Sequence, residues 1–440
     1  MTPRRIASAI LLLGFAVMLA INAPGQLSYD SVEQLADGRA GFYNSWHPPV
    51  MAWLLGLFDR LVPGTLLFLI FQSLLLLGAF LVLLRLRPRG WPSVLLAAAI
   101  VLTPQWLLYQ GEIWKDILFA DAAIAGFSAL AFYAQAYTQA GRLAGIVLAV
   151  LLLALAASAR QNGLILLPVA AITIGLVARR QGTSGGGSGW GRGVIFLLAV
   201  LTLAGAFNFA LASHTDGGDG ASAELRRGQS YDLVGALANQ PAVALQLNSD
   251  PELEKVLRTR GRILYSPLQS DSFAADPAVN RALYNAPDGA IAGAWRALVL
   301  EHPLLYLRTR WADFSAVLTT PDTLTCHLLS IGVSGPPALL KQLGLEPRLR
   351  PQDKILAGYV REFFGTPVFS HLAWGALTLV LLVILIRRGE PGDLVMAGLL
   401  AGALLFSLTF LAISIACDYR YLVFLDLSAM ASSLYLVKKT

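Results

Sequence analysis

Charge is scarce in this chain. Lys, Arg, Asp and Glu make up 14% of its 440 residues, against about 25% in soluble globular domains. Hydrophobic residues make up 56%, and the mean hydropathy is +0.62. So little polar surface cannot cover a soluble particle, which excludes a soluble enzyme, a soluble nucleic-acid binder and a disordered scaffold. Cysteine is rarer still. Two residues, Cys326 and Cys417, exclude a disulfide scaffold and a four-thiolate metal site. The five histidines are spread out without metal-ligand spacing. What the chain does have is long apolar runs, and about 20 such residues cross a bilayer as a helix. The expected fold class is an all-α polytopic membrane protein.

Ten runs read as transmembrane helices: 6–21, 66–84, 91–109, 117–133, 143–158, 163–178, 194–212, 369–386, 394–415 and 421–437. The first follows Arg4 and Arg5 and has the form of a signal sequence. No small-x-small cleavage site precedes Pro24, so an uncleaved span is expected. The stretch 47–62 carries an apolar stripe at helical spacing (Val50, Trp53, Leu54, Leu57, Phe58, Leu61) but is too short to cross, and it reads as an interfacial helix. With that register, Arg85, Arg87, Arg89, Arg142, Arg179, Arg180, Arg192, Arg387, Arg388, Lys438 and Lys439 all fall on one side. By the positive-inside rule that side is the cytoplasm. The net charge of +6 therefore reports orientation, not nucleic acid. Both termini are expected in the cytoplasm of a bacterial cell, with the chain in its inner membrane.

Three parts follow: an N-terminal transmembrane bundle (1–212) with an exterior loop at 22–65, an exterior helical region (213–367), and C-terminal transmembrane helices (368–440). The Gly/Ser-rich stretch 182–193 reads as a flexible linker. In the exterior region, Asp250-Pro251-Glu252 and Asp276-Pro277 have the form of helix starts. The apolar stretch 304–318 is expected to pack on the membrane face.

In the bilayer charge is costly, so a membrane enzyme gathers it at one face. Four exterior loops hold the unusual polar residues. They are Tyr29, Asp30, Glu33, Gln34, Trp46 and His47; Gln110 to Asp116, including Glu112, Trp114 and Lys115; Arg160, Gln161 and Asn162; and Asp418, Arg420 and Tyr421. Asp30 and Glu33 share a helical face. Lys115, Arg160 and Arg420 suit a phosphate, Arg as a bidentate donor. A carboxylate beside them suits a general base. Tyr29, Trp46, Trp114 and Tyr421 fit either a sugar platform or the interfacial aromatic belt. Plainer readings stand beside these: His47-Pro48-Pro49 as a helix start, Lys115 and Arg160 as interfacial anchors, Asp418 and Arg420 as each other's partners. Asp121 and Asp426 lie deeper in spans and require partners.

The order of these parts resembles the GT-C class of membrane glycosyltransferases, in the branch that uses polyprenyl-phosphate sugars, such as protein O-mannosyltransferases and lipid A aminoarabinose transferases. The resemblance rests on Ser28-Tyr29-Asp30-Ser31-Val32-Glu33 after the first span, Trp46-His47-Pro48-Pro49, a bundle of spans, a long exterior region, and a late Arg420-Tyr421. It covers the membrane portion. It implies a hexosyl- or pentosyltransferase that moves a sugar from a polyprenyl-phosphate donor to an exterior glycan, lipid or protein, with inversion. Asp30 would be the base, Glu33 and His47 would assist it, and Lys115, Arg160 and Arg420 would bind the donor phosphate. Tyr29, Asp116, Asn162, Asp418 and Tyr421 would orient substrate. Many members have adjacent Asp and Glu, whereas Ser31 and Val32 intervene here. Some relatives use a divalent metal; these residues neither require nor exclude one.

Two other functions fit the same pattern. One is a transporter or flippase of lipid-linked intermediates, which predicts ionisable or broken-helix elements within the bilayer. The other is an oligosaccharide polymerase or ligase with a polyprenyl-pyrophosphate donor. Cys326 and Cys417 both fall outside, where a disulfide is permitted, but spacing alone does not pair them.

Overall fold

The computed structural model describes residues 2–44, 46–182, 189–215, 220–247, 250–287 and 289–437. They form two compact units. The first is Met1–Asp216, Leu329–Ser407 and Leu422–Thr440; the second is Gly217–Leu328 and Leu408–Tyr421.

The first unit is a bundle. Across the described residues eight helices are long and apolar enough to cross a membrane: Pro3–Asn22, Leu66–Arg85, Lys115–Gln135, Gln139–Ala159, Gln161–Arg180, Gly189–Ala212, His371–Arg388 and Pro391–Ile413. Eight of the ten expected runs are thus single helices. The run at 91–109 is a pair, Trp91–Val101 and Pro104–Gly111, bent by 61°. The bend has a local cause. Pro104 removes a backbone donor, and the Thr103 side chain accepts from Trp106 N–H, starting a new helix. The run at 421–437 is a 14-residue helix, Val423–Leu436, preceded by one 3₁₀ turn.

At the centre stands Lys115–Gln135, most of it buried. Apolar residues lie on all its faces, as in a helix without a lipid side. Asp121 within it takes a hydrogen bond from Gln110 Nε2 at 2.9 Å. Asp426 faces His371 Nδ1 at 2.9 Å, so both intramembrane carboxylates have the polar neighbours that burial demands. The helix Pro49–Leu61 has 13 residues, about 20 Å of axis, and cannot cross a 30 Å core by itself.

Arg87 and Arg89, expected on the cytoplasmic side, are buried ties. Arg87 pairs with Asp393 and with Glu390 (2.7 Å), and donates to Tyr435 at 2.6 Å. Arg89 donates to the carbonyls of Leu84, Leu434 and Tyr435, which satisfies helix ends that otherwise lack partners. The stretch expected as a linker, 182–193, is helical at its C-terminal end. Gly189 begins the Gly189–Ala212 helix, while 183–188 and the expected cytoplasmic Lys438 and Lys439 lie outside the described residues.

The helices Tyr29–Ala40 and Pro49–Leu61 meet at two glycines. A Cβ on Gly38 would lie 2.7 Å from Gly56 N, and one on Gly56 would strike the Gly38 carbonyl. The Arg39 fork also grips Asp59, at 2.9 and 2.8 Å.

The second unit is helical. Asp250 accepts from Leu253 N–H, and Asp276 accepts from Ala278 and Val279 N–H, so both Asp-Pro pairs start helices as the sequence indicated. Its core holds Tyr231, Leu233, Val234, Leu237, Leu253, Phe273, Ile291 and Leu298, with Ile415 packed against it. Beside this core, Arg310 is buried between Asp232 (3.3 Å) and Asp313 (3.2 Å). Tyr265 donates to Asp313 and Trp295 to Asp232, both at 2.7 Å. Arg310 also donates to the carbonyls of Ala412 and Ser414. Burial raises Asp313 to about 7 and Asp232 to about 6, and Arg310 only partly opposes it. The stretch expected at 304–318 is the helix Pro303–Thr319, with Leu304, Leu307 and Trp311 exposed.

Candidate functional site

In the first unit, two of the four polar loops meet by backbone pairing, and a side-chain ion pair joins a third to them. Gln26 N–H donates to the Gly111 carbonyl (2.9 Å), and Ile113 N–H donates back to Gln26 (3.1 Å). The Ser31 hydroxyl donates to the Ile113 carbonyl at 2.6 Å, and Trp114 Nε1–H to the Ser28 hydroxyl at 2.7 Å. Ser28 is the N-cap of the Tyr29–Ala40 helix, and Ser31 completes a capping box. The helix start that carries Asp30 is therefore seated on the Ile113–Trp114 turn, one residue before Lys115.

A second layer holds that seat. The Gln26 side chain accepts from Gly332 N–H (2.6 Å) and donates to Asp353 (3.1 Å). Arg350 grips Asp353 and donates to the Ala23 carbonyl at 2.5 Å. Residues 332–353, far away in sequence, thus brace the first loop.

Each of the three cations stands beside another residue singled out in the sequence. Lys115 Nζ lies 2.8 Å from His47 Nδ1. Arg160 forms an ion pair with buried Asp116, and its guanidinium lies 5.6 Å from the Phe406 ring centre. Asn162 follows Arg160 in the 3₁₀ turn Gln161–Ile165, where Gly163 packs closely on Phe119. Tyr29 is exposed, and its hydroxyl bonds to Glu33. Burial raises Glu33, reinforced by the charges of Asp30 and Asp37 and only partly opposed by the Tyr29 hydrogen bond. Glu112 is also buried on the shared turn.

Asp418, Arg420 and Tyr421 belong to the second unit. Arg420 Nε donates to Asp418 Oδ2 at 3.0 Å, so the pairing foreseen as their plainer reading exists. Tyr421 stacks on Phe410, centres 5.2 Å apart. Cys326 and Cys417 form a disulfide, Cα atoms 4.7 Å apart. His327, which no motif in the sequence singles out, lies 2.9 Å from Asp418 Oδ1. Among the described residues, no three His, Cys, Asp or Glu side chains gather as a metal site would require.

The fold thus defines a multi-pass, all-helical membrane protein whose polar residues gather at loops. No family model matches the chain, and no curated protein matches it. Two solved structures are similar at 12% identity. One is the archaeal oligosaccharyltransferase AglB of Archaeoglobus fulgidus, in complex with an inhibitory peptide and a dolichol-phosphate, with TM-score 0.43 over 98% of this chain. The chain spans 50% of that protein's length. The other is ArnT of Cupriavidus metallidurans in the apo state, with TM-score 0.37 over 98% of this chain and 77% of ArnT. Likeness at this level fixes neither a family nor an activity.

Proposed function

We propose that this protein is a membrane glycosyltransferase of GT-C type, moving a sugar from a polyprenyl-phosphate donor to an exterior glycan, lipid or protein. The observation that carries the reading is the seating of the Asp30 helix start on the turn that precedes Lys115, with the Arg160–Asp116 pair on the residue that follows. A carboxylate at a helix start and cations at a phosphate are the two halves of such a transfer. The Asp30 carboxylate takes the proton of the acceptor hydroxyl. The freed oxygen attacks the anomeric carbon opposite the phosphate, so the sugar inverts. The bond from the anomeric carbon to the phosphate oxygen breaks, and polyprenyl phosphate leaves with the electron pair. Lys115, Arg160 and Arg420 stabilise the charge that gathers on it. His47 holds Lys115 in place, and Glu33 supports Asp30. Tyr29, Asp116, Asn162, Asp418 and Tyr421 orient the substrates. In this reading both termini are cytoplasmic and the chemistry lies on the exterior face of a bacterial cell membrane.

The test is reconstitution in lipid nanodiscs with a panel of polyprenyl-phosphate sugars, read as release of polyprenyl phosphate. Release abolished by Asp30→Asn supports the reading; no release with any donor overturns it. A second reading has one observation in its favour. The 61° break between Trp91–Val101 and Pro104–Gly111 is the kind of interrupted helix that transporters use. It predicts movement of a lipid-linked sugar across liposomes without donor consumption.

A further inference from the structure

We propose that His327 is a positioning residue that, through Asp418, sets the Arg420 guanidinium for the anionic phosphate of the donor. The inference rests on the glycosyltransferase reading and adds a residue and a regulating charge to it.

The argument begins with rigidity. Asp322 accepts from Leu324 and Thr325 N–H, at 3.1 and 2.6 Å. Cys326 N–H donates to the Asp322 carbonyl at 3.0 Å and His327 N–H to Leu324 at 3.1 Å. This closed turn is then tied to the segment that carries Arg420 in three ways. The disulfide joins Cys326 to Cys417, Tyr419 N–H donates to the Cys326 carbonyl at 2.9 Å, and His327 meets Asp418. His327 has φ of 44°, a left-handed backbone that a residue with a Cβ adopts at a cost. Such bracing is excessive for a surface imidazole whose side chain remains 57% exposed. It suits a side chain that must be held at one place.

Charge supplies the reason. Asp418 engages His327 through one oxygen and Arg420 through the other. With neutral His327 the three groups sum to zero, and a phosphate must compete with Asp418 for Arg420. With protonated His327 the sum is +1, and the Asp418 charge is shared between two cations. The groups facing His327 are Asp418, Arg420 and Asp271. Its hydrogen bond to Asp418 raises it above the ordinary histidine value, aided by the charges of Asp418 and Asp271 and opposed by burial and by Arg420. Protonation is lost as pH rises through that raised value, and the attraction for the donor is lost with it. A polyprenyl-phosphate sugar is a phosphodiester and keeps one negative charge throughout, so the dependence belongs to the protein.

The test is the donor KM and kcat of the full-length protein in nanodiscs between pH 5 and 9, for wild type, His327→Gln, His327→Lys and Asp418→Asn. Wild type shows a donor KM that rises about tenfold with pH, the size of one charge-assisted contact. His327→Gln has the high KM at every pH, and His327→Lys restores the low one through pH 9. Asp418→Asn removes the rise with pH and covers the case in which the Gln variant does not fold. An unchanged pH profile in the Gln, Lys and Asn variants, with wild type active, overturns the inference alone. No donor turnover by wild type overturns the reading on which it rests.

Discussion

At the residue scale, the Asp30 carboxylate is the sharpest test. Asp30→Asn should lower transfer by about 10²–10⁴-fold, the usual worth of a general base, with unchanged protein in the membrane by immunoblot. Transfer at the wild-type rate would remove Asp30 from the base role. The Arg160–Asp116 pair has a different signature. Arg160→Met leaves Asp116 charged and buried, and should cost about 3–5 kcal/mol of stability, read as thermal unfolding in detergent. The paired change Arg160→Met with Asp116→Leu should restore most of that loss. Much at this scale was visible in the sequence. Lys115, Asp116 and Arg160 stood out because charge at the edge of an apolar run is costly and therefore purposeful. His327 did not, since a single histidine in a long polar stretch carries no pattern. Its partner lies 91 positions away, and only the fold brings the two together.

Among elements, the crossing of Tyr29–Ala40 over Pro49–Leu61 is set by Gly38 and Gly56, which leave no room for a methyl group. Gly38→Ala should push the helices apart, costing about 1–3 kcal/mol as overpacking does and lowering activity by displacing Asp30 and Glu33. Melting temperature and turnover measured together check this; a variant as stable and active as wild type would show the crossing to be tolerant. Hydropathy located the long helices because their period and length are local properties. It could not show that 91–109 bends at Pro104, because Thr103 capping of Trp106 is a three-dimensional choice between one helix and two. The Gly38–Gly56 contact was equally silent, since glycine spacing in two short helices does not name its partner.

Taken as a whole molecule, the second unit holds two buried carboxylates around one guanidinium. Asp313, raised by burial to about 7, binds a proton in the folded state that its unfolded counterpart releases near pH 4. Between those values the folded chain holds more protons, so stability falls as pH rises from about 4 to 7. Hydrogen-exchange protection factors over Gly217–Leu328, corrected for the intrinsic rate at each pH, should therefore be larger at pH 5 than at pH 7, and Asp313→Asn should flatten the difference. A protection pattern that strengthens with pH would contradict the burial argument. The disulfide closes a loop whose ends are 91 positions apart. Its loss in Cys326→Ser should cost about 2–4 kcal/mol and loosen both segments it joins. Span parity led to the expectation that the two cysteines share one side of the membrane; that they are neighbours was not readable.

The second unit is written in the chain as two pieces, and the smaller one, Leu408–Tyr421, follows some eighty residues that belong elsewhere. Buried Arg310 takes two of its carbonyl partners, Ala412 and Ser414, from that later piece, and Cys326 takes its sulfur partner there too. During synthesis the larger piece therefore lacks these partners until the helices His371–Arg388 and Pro391–Ile413 have been made. Completion of this unit is a late event, and oxidant reaching Cys326 before then finds no second cysteine in the chain.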